Sequence, residues 1–238
     1  MEAKAIDFAA ILRTARKVIT DPATFFREMP KSGGFVEPLV FMVVMGLASG
    51  ILSGLLHALG SLLGIHLYSG AAMGAISLVL LPVYFAIGSA IFGFVIAGVL
   101  FVIWKAMGSK ESYETAYRCT AYLSAVSPIT TVLGAIPYVG GALGLVVMLY
   151  YLVTASVATH GIPAGKAWTV FGILTALLVI LSVSTQFTAR RFDRNIEQAD
   201  EAWKDASEEM RKAAEEMQKA AEEMQRRMKE EMEQQTPP

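Results

Sequence analysis

The sequence predicts an all-α polytopic membrane protein: a bundle of about five transmembrane helices, preceded by amphipathic helices and followed by a long heptad-repeat helix. Hydrophobic residues make up 54% of the chain, and its mean hydropathy is +0.49. Asp, Glu, Lys and Arg are absent from residues 38–104, 119–165 and 167–189. A bilayer core about 30 Å thick needs roughly 20 apolar residues per helical crossing. The first charge-free stretch is therefore long enough for two crossings.

The net charge of −1 conceals a division of the chain. Arg190 and the residues after it include 10 basic and 14 acidic side chains, whereas the residues before it include 10 basic and 7 acidic ones. Because the basic residues flank apolar segments and do not cluster with aromatic ones, anionic lipid is the expected partner and nucleic acid is not. The predicted divisions are residues 1–35, 36–189 and 190–238.

The N-terminal segment is predicted to form interfacial amphipathic helices. Apolar residues recur at helical spacing over residues 5–19, and basic residues occupy the other side. The sequence "TDPATFF" restarts a helix, because Thr20 or Asp21 can cap it and Pro22 suits its first turn. A basic amphipathic helix before a first span is expected to lie in the membrane interface and to contact anionic lipid. The alternative is that it packs on the protein's own loops.

Five spans are expected. Pro82 should kink the second span, and Pro128 should break the third. Trp104 is expected to mark the membrane interface at the end of the second span. The spans are predicted at residues 38–59, 75–104, 116–136, 143–159 and 168–189.

Small residues form two rows at four-residue spacing. This spacing places them on one face of a helix, where the missing side chains let another backbone approach closely. The partner is either another helix of the same chain or a second copy, so these faces are candidate helix-packing and assembly sites. The rows are Gly46, Gly50 and Gly54 in the first span and Ser89, Gly93 and Ala97 in the second.

A few polar residues lie within or beside the predicted spans, where polar side chains are functional candidates. Glu114 and Arg118 are one helical turn apart, so they can pair with each other. Such a pair either anchors the helix at the interface or belongs to a substrate site. The candidate intramembrane polar site comprises His57, Glu114, Arg118, Ser124 and Thr131.

The tail carries a seven-residue repeat, "EEMRKAA EEMQKAA EEMQRRM", over residues 208–228. Apolar residues spaced alternately by four and three are typical of a coiled coil. A homo-oligomeric coiled coil, a Met-faced surface for a partner protein or lipid, and a lone solvated helix are the three interpretations. The oligomerisation row is predicted at Ile196, Trp203, Met210, Ala214, Met217, Ala221, Met224 and Met228.

Motifs of known enzyme classes are absent from the sequence: it contains no HExxH, nucleophile elbow, Walker loop or CxxC pair. His57, His66 and His160 are far apart in the sequence and lack neighbouring carboxylates, so a metal site is not expected. Cys119 is the single cysteine, and we expect it to behave as a small buried hydrophobe. We therefore expect a non-enzymatic protein with no catalytic residues, no cofactor and no metal ligand.

Charge counting gives two topologies. Five spans with a cytoplasmic N-terminus place every Lys and Arg before residue 190 inside, as the positive-inside rule requires, but put Arg190, Arg191 and Arg194 outside. Without the third segment as a span, the tail would lie inside and Lys166 would be the exception, so charge counting slightly favours four spans. The length of the third segment and the turns beside it favour five spans. The expected location is the cell membrane, with the tail on the side opposite the N-terminus.

Four segments together resemble the YIP-domain family, the Ypt/Rab-interacting membrane proteins, in its prokaryotic form. They are "DPATFF", "SYETAYRCTAYLSAVSPI", "IPYVGGALG" and "HGIPAGKAW", and the resemblance covers about residues 20–189. It implies five spans, a cytoplasmic N-terminus and a C-terminus on the far side. Eukaryotic members look like trafficking factors that bind small GTPases. The heptad tail departs from the family pattern, and the short N-terminal segment gives no basis for transferring the GTPase role.

Two functions follow from these observations. The first is a self-assembling scaffold, likened to YIP trafficking factors, that organises or shapes the membrane. The alternative is a channel, transporter or lipid-moving protein, with a path lined by the hydroxyl-rich third span, Pro82, Pro128 and His57. The low number of charged residues within the spans counts against coupled transport.

Overall fold

The structure, a computed structural model, describes residues 7–63, 76–136 and 139–234, and every element in them is helical. An all-α fold is therefore confirmed for these residues, while His66 lies outside them. The helices are α1 (Phe8–Thr20), α2 (Pro22–Glu28), α3 (Val36–Leu62), α4 (Ser77–Ala106), α5 (Tyr113–Leu123), α6 (Ser127–Gly134), α7 (Gly140–His160) and α8 (Ala164–Gln234), with a 3-10 turn at Ser124–Val126 between α5 and α6.

Four stretches among the described residues are long and apolar enough to cross a membrane. They correspond to four of the five predicted spans, so a multi-pass protein is supported, whereas the count of five is not confirmed. The third predicted span, residues 116–136, differs from the prediction because it is divided into α5, the 3-10 turn and α6. The four stretches are Val36–Gly60, Ser77–Ala106, Gly140–His160 and Ala164–Thr185.

The break in the third segment has a local cause. Pro128 lies in the first turn of α6 and has no backbone N–H with which to continue the preceding helix. The hydroxyl of Ser124 donates to the carbonyl oxygen of Ala121 at 2.6 Å, which satisfies a backbone acceptor close to the break. The segment therefore continues in helical form after a short 3-10 turn.

The broken segment nevertheless runs antiparallel to α7 along its length. Beside the end of α7, Oγ of Ser109 lies 2.8 Å from Nδ1 of His160. Beside the start of α7, Gly140 lies so close to the carbonyl of Leu133 that a Cβ at this glycine would clash with it. The end of α7 thus lies beside the loop that precedes α5, and the start of α7 lies beside the end of α6.

Helices α3 and α4 are in backbone contact along the glycine row. A Cβ at Gly50 would lie 2.5 Å from Cα of Pro82, and one at Gly46 would lie 2.6 Å from Oγ of Ser89. A Cβ at Gly54 would lie 2.9 Å from a backbone oxygen of α4. The glycines thus bring the two helix backbones together, as in other small-residue helix pairs.

The second small-residue row, on α4, also faces inward. Ser89 is the α4 residue that approaches Gly46, and Gly93 leaves room for the end of the Met42 side chain. Ala97 is completely buried. The structure therefore places both rows in contacts within one chain.

Helix α2 packs against α7, and the end of α1 is hydrogen-bonded to α7. The hydroxyl of Tyr151 on α7 donates to the backbone oxygen of Ile19 at 2.9 Å. The hydroxyl of Thr159, also on α7, donates to the backbone oxygen of Phe26 on α2 at 2.8 Å. The Phe26 side chain is fully buried. The bond to Phe26 satisfies a carbonyl at the end of α2 that has no partner within the helix.

The first helix has two different sides. Ala15 and Val18 are buried against the bundle, whereas Phe8 and Leu12 are 62% and 66% exposed. Asp21 separates α1 from α2 and accepts a hydrogen bond from a backbone N–H in the first turn of α2 at 3.3 Å. The helix therefore packs on the protein with one edge and leaves an apolar edge exposed.

The chain forms two compact units, Met1–Phe187 and Thr188–Pro238. The core of the first unit includes the fully buried side chains of Trp104, Cys119 and Val126. In the second unit, every side chain that the structure describes is exposed. The predicted row residues among them are Trp203, Met210, Ala214, Met217, Ala221 and Met224, while the side chains of Ile196 and Met228 lie outside the described part.

Candidate functional site

A groove of about 570 Å³ lies within the first unit and is lined by residues of α3, α4, the α5–α6 segment and α7. Its volume falls in the range of about 300–1,000 Å³ that is usual for small-molecule sites. Asp, Glu, Lys, Arg and His do not occur among the described residues that line it. The groove can therefore offer apolar contact and neutral hydrogen bonds to a ligand.

The outer wall of the groove is one face of α4. Tyr84, Gly88, Phe92 and Ile96 follow one another at four-residue spacing, and all four line the groove. Tyr84, Phe92 and Ile96 are 68%, 59% and 50% exposed, so the same residues also lie on the outer surface. A Cβ at Gly88 would meet no atom within 4 Å. The groove thus opens beside α4, on the surface of an apolar helix.

The inner wall carries hydroxyl groups, and the protons of four of them are used within their own helices. Thr120 and Ser49 donate to the carbonyl oxygen four residues earlier, each at 2.9 Å. Ser124 and Thr130 donate to the carbonyl oxygen three residues earlier, at 2.6 and 3.0 Å. A hydroxyl has one proton and two lone pairs. Ser49 is completely buried, so Thr120, Ser124 and Thr130 are the members of this set that present hydrogen-bond acceptors to the groove.

The structure separates the five residues of the predicted intramembrane polar site. Ser124 and Thr131 both line the groove. His57 lies elsewhere on α3, with Nδ1 2.8 Å from the backbone oxygen of Ser53. The α4 residues of the outer wall were not predicted. Their four-residue spacing is visible in the sequence, as is the absence of a side chain at Gly88.

Arg118 and Glu114 bind the connection between α2 and α3. The buried Arg118 side chain donates from Nε to the oxygen of Pro30 at 2.8 Å and from Nη1 to the oxygen of Gly34 at 3.0 Å. Its Nη2 lies 3.4 Å from the carboxylate of Glu37. Glu114 accepts from the N–H of Gly34 at 2.7 Å. The predicted pairing of Glu114 with Arg118 is thus replaced by contacts of each with backbone groups between α2 and α3, and Arg118 also contacts Glu37 in the first turn of α3.

Trp104 lies near the end of the second span, and its ring is completely buried within the protein. Its Nε1 donates to Oγ of Ser156 at 2.8 Å, and its ring stacks on His160 with the ring centroids 4.0 Å apart. His160 in turn contacts Ser109. This cluster joins the end of α4 to the end of α7. The residues bonded across it are more than 50 positions apart in the sequence, so no local spacing predicts their contact.

The remaining reactive groups are enclosed or scattered. Cys119 is buried, with Sγ 3.8 Å from Oγ1 of Thr159. Within the described ranges, no three His, Cys, Asp or Glu side chains come together as metal ligands. The groove is therefore the candidate site, and its chemistry is apolar contact combined with hydrogen-bond acceptance.

The span-length apolar helices and the charge-free groove define a multi-pass α-helical membrane protein. Within this class, the chain belongs to the Yip1 domain family, because the family model described as Yip1 domain matches residues 16–185. This match confirms the resemblance found in the sequence. It begins inside α1 and ends with the apolar part of α8, so the heptad tail follows the matched region. Comparisons with curated proteins and with solved structures find no match.

Proposed function

We propose that this Yip1-family protein is a non-enzymatic membrane scaffold whose copies assemble through the tail and thereby organise or shape the bilayer. One observation carries the proposal. Trp203, Met210, Met217 and Met224 recur at seven-residue spacing on a helix and are 60% to 70% exposed. Large apolar side chains repeated along one exposed face indicate an interaction surface. An identical row on a second copy would cover it in a coiled coil.

The proposal assigns assembly to the tail and not to the small-residue rows. Gly46, Gly50 and Gly54 are in contact with α4 of the same chain, so no second copy is needed to cover them. The tail row has no such cover among the described residues. Met and Ala give a weaker coiled-coil core than Leu and Ile, which suits an assembly that exchanges its subunits.

Five crossings are part of the proposal. The loop before α5 lies beside one end of α7 and the end of α6 lies beside the other, which supports counting the α5–α6 segment as a broken crossing. Lys31 and Lys166 lie at the same end of the bundle as residues 107–111: Lys31 pairs with Glu111 at 2.7 Å, and Lys166 donates to the oxygen of Met107 at 3.0 Å. Basic residues gathered at one end favour a cytoplasmic position for that end.

The N-terminus is then cytoplasmic, the tail lies on the opposite side, and the cell membrane is the proposed location. Helix α1 would contact anionic lipid in the cytoplasmic leaflet. Its exposed Phe8 and Leu12 supply apolar contact, and Arg13 and Arg16 supply positive charge beside them. An assembly that inserts many such edges into one leaflet would curve the membrane.

The experiment replaces Met210, Met217 and Met224 together by Glu and measures the particle mass in detergent by light scattering. The matched control replaces Lys212, Lys219 and Arg226 by Gln. It lowers the charge by the same amount but lies on the opposite face of the helix. We expect the wild type and the control to be oligomers of equal mass and the Glu variant to dissociate.

A wild-type particle that is monomeric, or an oligomer whose mass is unchanged in the Glu variant, would contradict assembly through the tail. Membrane shaping is tested separately by electron microscopy of vesicles that contain each variant. Tubules with the wild type and the control, and round vesicles with the Glu variant, are the expected result. Round vesicles in all three would leave assembly standing and remove membrane shaping.

A further inference from the structure

We propose that the groove beside α4 binds an uncharged membrane lipid whose polar end donates a hydrogen bond, of the diacylglycerol class with a free hydroxyl. This inference goes beyond the scaffold role and does not depend on the tail. It rests on where the groove opens, on what its inner wall offers and on what its lining lacks.

The groove opens where lipid is the surrounding medium. Its outer wall consists of residues that are also exposed on α4, a 30-residue helix of mean hydropathy 2.6 over its most apolar window. Phe92 and Ile96 lie at this mouth, so an acyl chain at the bilayer side of α4 reaches the groove without crossing water. A chain that enters buries its own apolar surface together with that of the wall.

The inner wall selects the polar end of the ligand. Thr120, Ser124 and Thr130 have their protons engaged with backbone oxygens, so their oxygens can accept hydrogen bonds from a ligand in the groove. A ligand that brings a hydroxyl proton satisfies one of these acceptors. The hydroxyl of Ser127, which also lines the groove and has no hydrogen-bond partner among the described residues, can donate to an ester oxygen of the same lipid. The wall therefore favours a lipid with a free hydroxyl.

The lining disfavours charged headgroups. A phosphate or ammonium group inside the groove would be desolvated with no opposite charge among the described lining residues. A transmembrane helix of a second copy is also a poor occupant. Its backbone N–H groups are already used within the helix, and it measures about 10–12 Å across with side chains. A neutral lipid needs no opposite charge in the lining, its acyl chain is narrower than a helix, and its hydroxyl is free to donate.

The first measurement uses the intact protein in phosphatidylcholine vesicles. They contain a diacylglycerol with a photoactivatable group in one acyl chain or, in a parallel sample, the same lipid with its hydroxyl acetylated. We expect light-induced labelling at α4 and α6 residues of the groove. The diacylglycerol should label about two- to tenfold more than the acetylated lipid, since one net hydrogen bond is worth that factor.

Two glycines of α4 provide matched variants. A Cβ at Gly88 or at Gly98 would meet nothing within 4 Å, but only Gly88 lines the groove. Gly88→Leu fills the groove, and Gly98→Leu adds the same side chain elsewhere on the helix. We expect groove labelling to be lost in the first variant and kept in the second, with unchanged thermal unfolding in both.

A second pair tests the hydroxyl wall without filling the groove. Ser124→Ala removes one acceptor and should bring the labelling ratio of the two lipids closer to one. Thr154→Val removes a hydroxyl that likewise donates to its own helix, at 2.8 Å, but lies outside the groove, so the ratio should stay as in the wild type.

Three results would overturn the proposal. The first is wild-type labelling spread evenly over the outer surface of the bundle. The second is equal labelling of Gly88→Leu and Gly98→Leu. The third is equal labelling by the two lipids, which would remove the selection for a donor. Mapping the labelled residues in the wild type decides the first point even if a variant fails to fold.

Discussion

Helix α5 and the tail part of α8 are both charged helices, but their surroundings are opposite. In α5, nine consecutive residues, 115–123, are buried, and they include Arg118. In the tail, residues 203–219 are all exposed, and they include Trp203 and two methionines of the heptad row. Polar side chains are thus enclosed in one helix, while large apolar ones face outward in the other.

The contrast shows that polarity along a helix does not by itself indicate where water is. The polar groups of α5 have partners within the protein: Arg118 binds the α2–α3 connection, and Thr120 bonds its own helix. The apolar row of the tail has no comparable cover among the described residues. Substitutions in the first unit are therefore expected to lower its stability more than substitutions in the tail do.

The largest effect is expected where the enclosed charge is removed. Arg118→Met should lower the free energy of unfolding by roughly 3 kcal/mol, since hydrogen bonds from a charged group contribute about 1.5–3 kcal/mol each and two carbonyl oxygens lose their donor. Thermal unfolding in detergent measures the loss. Arg118→Lys should recover only part of it, because an ammonium group cannot reproduce the fork of the guanidinium. Wild-type stability of Arg118→Met would show that α5 does not depend on this contact.

Helix packing comes next. Gly50→Ala should destabilise the protein by about 2 kcal/mol, because the added Cβ would lie 2.5 Å from the backbone of Pro82 and the helices must separate. Gly88→Ala is the matched control, since its Cβ would meet nothing within 4 Å, and it should be neutral or slightly stabilising. Equal unfolding temperatures for the two variants would contradict the close approach of α3 and α4.

A smaller loss is expected at the buried tryptophan. Trp104→Phe keeps an aromatic ring beside His160 but removes the donor to Ser156, so we expect a loss of about 1 kcal/mol. Ser156→Ala removes the same bond from its other side. The double variant should therefore cost less than the sum of the two single ones. Additive losses would indicate that the two side chains are not coupled.

The smallest effect on folding is expected in the tail. The triple Glu variant of Met210, Met217 and Met224 should change the unfolding of the first unit by less than about 0.5 kcal/mol when compared at matched oligomeric state, as exposed substitutions usually do. A large loss of stability in the dissociated variant would show that the tail supports the fold of the first unit.

Sequence alone was sufficient for the features set by composition and spacing. Charge-free runs of span length predicted four helices that the structure contains, and "TDPATFF" predicted the restart of a helix at Pro22. Small residues at four-residue spacing identified the faces of α3 and α4 that meet. Each of these patterns is local, so a single stretch of sequence carries it.

Other features depended on contacts between distant residues. The one-turn spacing of Glu114 and Arg118 predicts an ion pair between them. The partners of Arg118 in the structure lie 81 to 88 positions away along the chain. Trp104 at the end of a charge-free run is typical of an interface residue, and the sequence does not show its contact with Ser156. The groove likewise needs four segments, so the hydroxyl row of the third segment revealed only one of its walls.

Disulfide formation in membranes tests assembly through the heptad row most directly. Met217→Cys places a thiol on the row, and Lys219→Cys places one on the opposite face two residues later. A disulfide requires Cα atoms about 4.4–6.8 Å apart, which a parallel, in-register pair supplies at the row alone. We predict a covalent dimer from Met217→Cys upon oxidation and a monomer from Lys219→Cys. Monomers from both variants, or equal dimer yields, would contradict assembly through this row.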